Sequence, residues 1–138
     1  MARDPLAVLW RLRDAAVTEA SRDLAVARAC EMREAQRLDA HRLHMRQEQS
    51  EAAGEHVAAF AAWLPHARQN TERLSASLQA EEARVRRLQQ ILVGRRTDAE
   101  AVAKALQRQR AEAGLVQTRK EQAIMDEAAG RSRRLPIG

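Results

Sequence analysis

Apolar residues recur at steps of three and four along two long stretches of the chain, the spacing of one face of a helix. In the first stretch one column reads Trp10, Val17, Leu24, Glu31, Leu38, Met45, Ala52. Its companion reads Arg13, Ala20, Ala27, Glu34, His41, Glu48. Eight of these 13 positions are apolar, and the first column holds nearly all the large ones. This predicts a helix over about 5–53 with a narrow seam, thinner than a designed coiled coil. Asp4 is placed to cap it and Pro5 suits its first position; no Gly or Pro follows until Gly54.

The pattern breaks at residues 54–65, which are poor in charge and carry Phe60 and Trp63. The chain is expected to reverse near 54–57. A short helical segment leads to Pro65, which should begin or kink a helix because it clashes inside one. The second long helix is expected over about 66–129. Its column runs Leu64, Ala67, Thr71, Leu74, Leu78, Glu81, Val85, Leu88, Leu92, Arg95, Ala99, Val102, Leu106, Gln109, Ala113, Val116, Lys120, Ala123, with 13 of 18 apolar and no register break. A sustained 3.5-residue period implies left-handed supercoiling against a partner helix. Gly94 and Gly114 fall outside the seam, Gly130 is placed to end the helix, and a basic tail follows over 130–138.

Two such helices joined by a short reversal give an all-α architecture, a single antiparallel coiled-coil hairpin over 1–138. Facing residue numbers should add to about 116, so that Leu38 meets Leu78, Leu24 meets Leu92 and Trp10 meets Leu106. The second helix then overshoots the N-terminus by about 20 residues.

Composition agrees with this pattern. The 138 residues include 29 Ala and 22 Arg but only 15 Val, Ile and Thr together, three aromatics and no Tyr. Sheets need β-branched and aromatic residues, so β folds are excluded, and regularly spaced strand runs for an α/β fold are absent. Ala-rich seams bury little area and stabilise weakly, which favours a molecule that gains order from a partner. Basic and acidic residues number 24 and 19, a net charge of +5. The excess of Arg over Lys fits both nucleic-acid binding and Arg-rich codon usage. The acids interspersed among the Arg argue against a nucleic-acid face, and the narrow Ala-containing seam argues against a membrane-surface helix. One cysteine, Cys30, excludes an internal disulfide and fits a reducing compartment. No signal-peptide core or spanning run is present, so a cytoplasmic protein is expected.

Candidate chemistry is sparse. No phosphate loop, dinucleotide turn or metalloprotease motif occurs. His41 and His44 lie three apart on one helix but lack a third ligand at a sensible spacing, and adjacent Glu81 and Glu82 point to different faces. No catalytic residue, cofactor, metal or small-molecule substrate is expected, and the chain reads as a non-enzyme. Phe60, Trp63 and Leu64, near the reversal, are either partner anchors or a plug over the hairpin's end. Arg3, Arg11 and Arg13 are expected to converge with Arg131, Arg133 and Arg134 at the open end, as a docking surface for an acidic partner or as solvated termini that suit the helix dipole.

Two stretches resemble the FliJ family of flagellar export-apparatus proteins and their virulence-secretion counterparts. Leu6-Ala-Val-Leu9-Trp-Arg-Leu12-Arg-Asp with Val17-Thr-Glu19-Ala20-Ser-Arg22-Asp-Leu24 is similar to that family's leucine-stepped opening, and Lys120-Glu121-Gln122-Ala-Ile-Met125-Asp126-Glu127-Ala128 is similar to its closing Asp-Glu-x-Ala signature. The resemblance implies a non-catalytic stalk whose open end enters the pore of a hexameric export ATPase. It also implies contact with the cytoplasmic domain of the membrane export gate, and with substrate chaperones, at the inner membrane. Carried onto this chain, the ATPase end is Leu6, Leu9, Arg13, Met125, Asp126, Glu127, Arg131, Arg133 and Arg134. The gate-facing set is Leu38, His41, Met45, Phe60, Trp63 and Leu64. The alternative is a basic hairpin that binds nucleic acid or another coiled-coil partner.

Overall fold

The computed structural model describes residues 4–52 and 54–134. Two helices, α1 (Pro5–Glu51) and α2 (Val57–Arg134), form an antiparallel helical hairpin. Asp4 caps α1 as its sequence suggests: the Leu6 backbone N–H donates to its carboxylate at 3.0 Å. The reversal turns on Gly54, whose φ of 86° lies in the left-handed region that L side chains avoid. The Val57 N–H then donates to the Gly54 carbonyl at 3.4 Å.

Two boundaries differ from the sequence expectation, and both show helix overriding a breaker. Helix α2 starts at Val57 and carries Pro65 in its interior instead of beginning there. Phe60, Trp63 and Leu64 are half-buried in the turns before Pro65, and their packing offsets the single backbone donor that proline lacks. Gly130 does not end the helix, which continues to Arg134. A C-terminal glycine stop needs positive φ, and Gly54 alone has it among the described residues. An Arg131–Glu127 ion pair at 2.8 Å spans that turn. Residues 135–138 of the expected tail lie outside the described residues, as does Arg3.

The contacts divide into two compact units, one of Ala15–Arg95 and one of Met1–Asp14 with Arg96–Gly138. In the Ala15–Arg95 unit both α1 columns face inward: Val17, Glu31 and Met45 are half-buried, Leu24, Leu38 and Ala52 buried. Ala20 and Ala27 of the companion column are also buried. The core joins Ala20, Leu24, Ala27, Val85 and Leu92, with Val17 and Leu88 packed against it. Leu24 and Leu92 thus share one cluster, in the expected register. Ala27 is 0 % exposed, because a small side chain there lets the helices approach. The price of the narrow seam is polar residues on it: Glu81 is half-buried and its Oε2 is buried without a hydrogen-bond partner.

In the other unit Leu106 is buried, and Ala99 and Val102 are half-buried. Trp10, expected opposite Leu106, keeps 36 % of its surface exposed. The Gln109 side-chain amide donates to the Asp4 carboxylate at 3.5 Å. These contacts place the start of α1 beside the part of α2 that ends near Gln109.

Candidate functional site

Past Leu106 the α2 column continues without cover. Every residue from Gln107 to Ala129 is exposed, including the column members Gln109, Ala113, Val116, Lys120 and Ala123. Leu115, Val116, Ile124 and Met125 are exposed large apolar side chains, Met125 at 71 %. At about 100° per residue, Val116 and Met125 lie on opposite sides of the helix. Residues 107–134 carry seven basic and four acidic side chains.

At the reversal, in the Ala15–Arg95 unit, two concavities adjoin Phe60. A cleft of about 470 Å³ is lined by His44, Glu48, Glu51, Ala52, His56, Ala59, Phe60 and Trp63. The Trp63 ring meets His44 edge-on, centroids 5.7 Å apart at 86°, and Phe60 at 5.8 Å and 45°. His44 Nε2 lies 3.9 Å from the Glu48 carboxylate. A second groove, of about 530 Å³, has Met45, Phe60 and Leu64 among its lining and Arg42, Arg46 and Arg68 beside them.

An antiparallel hairpin whose second helix runs on past its partner's start is the layout that the heptad pattern predicted, and it fits the resemblance noted in the sequence. A family-level comparison matches residues 1–135 to the family described as Flagellar FliJ protein. The chain belongs to the FliJ family. No curated protein and no solved structure matches the chain. The FliJ family is a non-enzymatic component of flagellar export, and this member is accordingly an export-related protein of the flagellum. No described helix is long and apolar enough to cross a membrane.

The structure separates the residues that the FliJ resemblance grouped at the ATPase end. Leu6 and Arg13 are half-buried and Leu9 is exposed, at the α1 start that Asp4 ties to Gln109. Met125 is sixteen residues beyond Gln109, about 24 Å along α2 at ~1.5 Å per residue. Asp126 and Arg133 are exposed, and Glu127 pairs with Arg131. The basic ends therefore do not converge: Arg11 and Arg13 stay with the α1 start, while Arg131, Arg133 and Arg134 close the far end of α2, the last described by its backbone alone. The overshoot keeps them apart.

The gate-facing set also divides. Leu38 is 4 % exposed and belongs to the seam. The His41 imidazole Nε2 hydrogen-bonds the Ala67 carbonyl at 2.9 Å, and Met45 Sδ accepts from the Thr71 hydroxyl at 3.2 Å. These two clasp α2, although Met45 also lines the basic-rimmed groove. Phe60, Trp63 and Leu64 are brought together at the reversal, half-buried and half-presented. The sequence reading weighed His44 only as a metal ligand, and passed over Glu48, Glu51 and His56 as site residues. The signal for the acids was there: no Lys or Arg occurs from Gln47 to Leu64, while Glu48, Glu51 and Glu55 do.

Proposed function

We propose that this chain is a non-catalytic stalk of flagellar protein export, with the exposed α2 segment beyond Gln107 seated in the central pore of the hexameric export ATPase. The observation that carries this reading is the heptad column that continues past Leu106 with nothing on it. A 3.5-residue apolar repeat maintained where no intramolecular helix covers it is a surface for a partner. Apolar residues on opposite sides, Val116 and Met125, suit enclosure by a ring better than one flanking helix. The surplus of basic side chains there suits an acidic lining.

The reversal is the second contact, with the cytoplasmic domain of the export gate and with substrate chaperones. Phe60, Trp63 and Leu64 carry it, flanked by Arg42, Arg46 and Arg68. Leu38 and His41 act behind them by holding the helices in register. The protein works in the cytoplasm, peripherally at the inner membrane.

The test is ATP hydrolysis by the same organism's export ATPase with and without the protein, alongside light scattering of the hexamer. Stimulated turnover with hexamer formation, lost on deleting residues 121–138, is the expected result. Unchanged turnover at saturating protein removes the pore reading. In that case a strongly salt-dependent affinity for DNA would point to the nucleic-acid alternative.

A further inference from the structure

The cleft at the reversal differs in charge from the rest of the chain. Between Gln47 and Leu64 there are three carboxylates, Glu48, Glu51 and Glu55, and no Lys or Arg. The whole chain carries +5, so everything outside this stretch carries +8. Glu48 and Glu51 line the cleft together with the rings of His44, Phe60 and Trp63. Trp63 is the common member of both ring pairs, edge-on with His44 and tilted to Phe60, so the three rings form one cluster lining the cleft.

Carboxylates beside clustered aromatic rings are the chemistry that recognises a cation. An aromatic face attracts a guanidinium through its quadrupole, and Trp does so most strongly. A carboxylate accepts the guanidinium's paired N–H donors side by side. The last turn of α1 contains no basic residue, so its carbonyl end adds negative potential that no side chain offsets. The first turn of α2 contains no acidic residue. Its positive end opposes that of α1, which leaves the two glutamates to decide the sign.

We propose that this cleft is a binding site for an arginine side chain of a partner protein, the guanidinium stacked on Trp63 and hydrogen-bonded by Glu48 and Glu51. Arginine fits better than lysine because its planar head both stacks and pairs bidentately, whereas an ammonium is a strongly hydrated point charge. A volume of about 470 Å³ falls in the range of small-ligand pockets and leaves room for the backbone that bears the side chain. The site lies wholly within Ala15–Arg95 and does not depend on the pore reading.

The test uses the full chain with Trp10→Phe, which leaves Trp63 as the single fluorophore. Acetyl-arginine amide is titrated against it, with acetyl-citrulline amide as the neutral counterpart of the same shape. Saturable quenching by arginine and roughly tenfold weaker binding by citrulline are expected, since hydrogen bonds to charged groups are about twice as strong as neutral ones and the cation–π contact is lost as well. Glu48→Gln with Glu51→Gln should lower the discrimination between the two probes, leaving only the part that stacking on Trp63 supplies, while far-UV circular dichroism stays unchanged. Equal response to both probes by the unsubstituted site, an unsaturable response, or discrimination undiminished by the double substitution overturns the proposal. ATPase stimulation by the unaltered chain is scored separately, so failure here and failure of the pore reading are distinguishable.

Discussion

At the scale of single residues, the seam is stabilised at a few apolar positions and weakened at the polar ones. Leu24 and Leu92 share the buried cluster with Ala27. Leu24→Ala should cost about 2–5 kcal/mol, the range for a buried leucine that leaves a cavity. Ala27→Leu should cost about 1–3 kcal/mol, because the close approach has no room for a larger group. Glu81 offers the reverse case. Its buried Oε2 has no partner, and the column around it reads Leu78, Glu81, Val85. Glu81→Leu should raise stability by about 1–2 kcal/mol, the desolvation penalty of an unsatisfied group. Thermal unfolding followed by circular dichroism checks all three. A Glu81→Leu chain that melts below the parent would mean that this carboxylate is held by something the packing does not show. These inward positions were legible in the sequence, since both α1 columns appear there in full. That His41 would spend its imidazole on the Ala67 carbonyl was not, because a cross-helix hydrogen bond depends on the local rotation of two helices.

At the scale of elements, glycines and prolines have effects set by place. Gly54→Ala should destabilise by about 1–2 kcal/mol, the cost of a left-handed conformation for an L residue. Gly94→Ala should stabilise by roughly 1 kcal/mol, since an added Cβ there meets nothing within 4 Å. Opposite shifts of the thermal midpoint are the readout, and shifts of the same sign would contradict the reversal described. Pro65→Ala should likewise raise the midpoint, by up to about 3 kcal/mol of helix propensity, less what proline saves by restricting the unfolded chain. Pro65 and Gly130 are where reading by local signals failed. Both are strong local breakers, yet the packing of Phe60, Trp63 and Leu64 carries the helix through the first, and a backbone that stays helical carries it past the second.

At the scale of the whole molecule, the chain keeps an apolar repeat for longer than its own first helix can cover. Hydrogen exchange should therefore be fast over 107–133 and slow through Ala20–Ala27 and Val85–Leu92, because amides with no packed side chains above them open at little cost. Adding the export ATPase should slow exchange in 107–133. Leu115→Ala, at a position 58 % exposed, should leave the free protein's stability within about 0.5 kcal/mol while weakening ATPase stimulation. If exchange in 107–133 is as slow in the free protein as in the seam, a second copy covers it, and light scattering would show the larger mass.

Helix identity, the antiparallel pairing, the inward columns and the overshoot were set by the order of residues alone, because a 3.5-residue period marks the face a helix offers to a partner and the second such stretch is longer than the first. Membership of the FliJ family was also legible in the sequence, as a resemblance that the family match over residues 1–135 bears out. The tertiary structure alone decided which candidate residues are available. Leu38 and His41 are spent within the seam, and Arg13 and Arg131 lie at different ends of the overshoot. It also gathered His44, Glu48, Glu51, Phe60 and Trp63 around one cleft. The reason is geometric: periodicity fixes which side of a helix faces inward, whereas a site built across a chain reversal depends on how the turn brings two helix ends together.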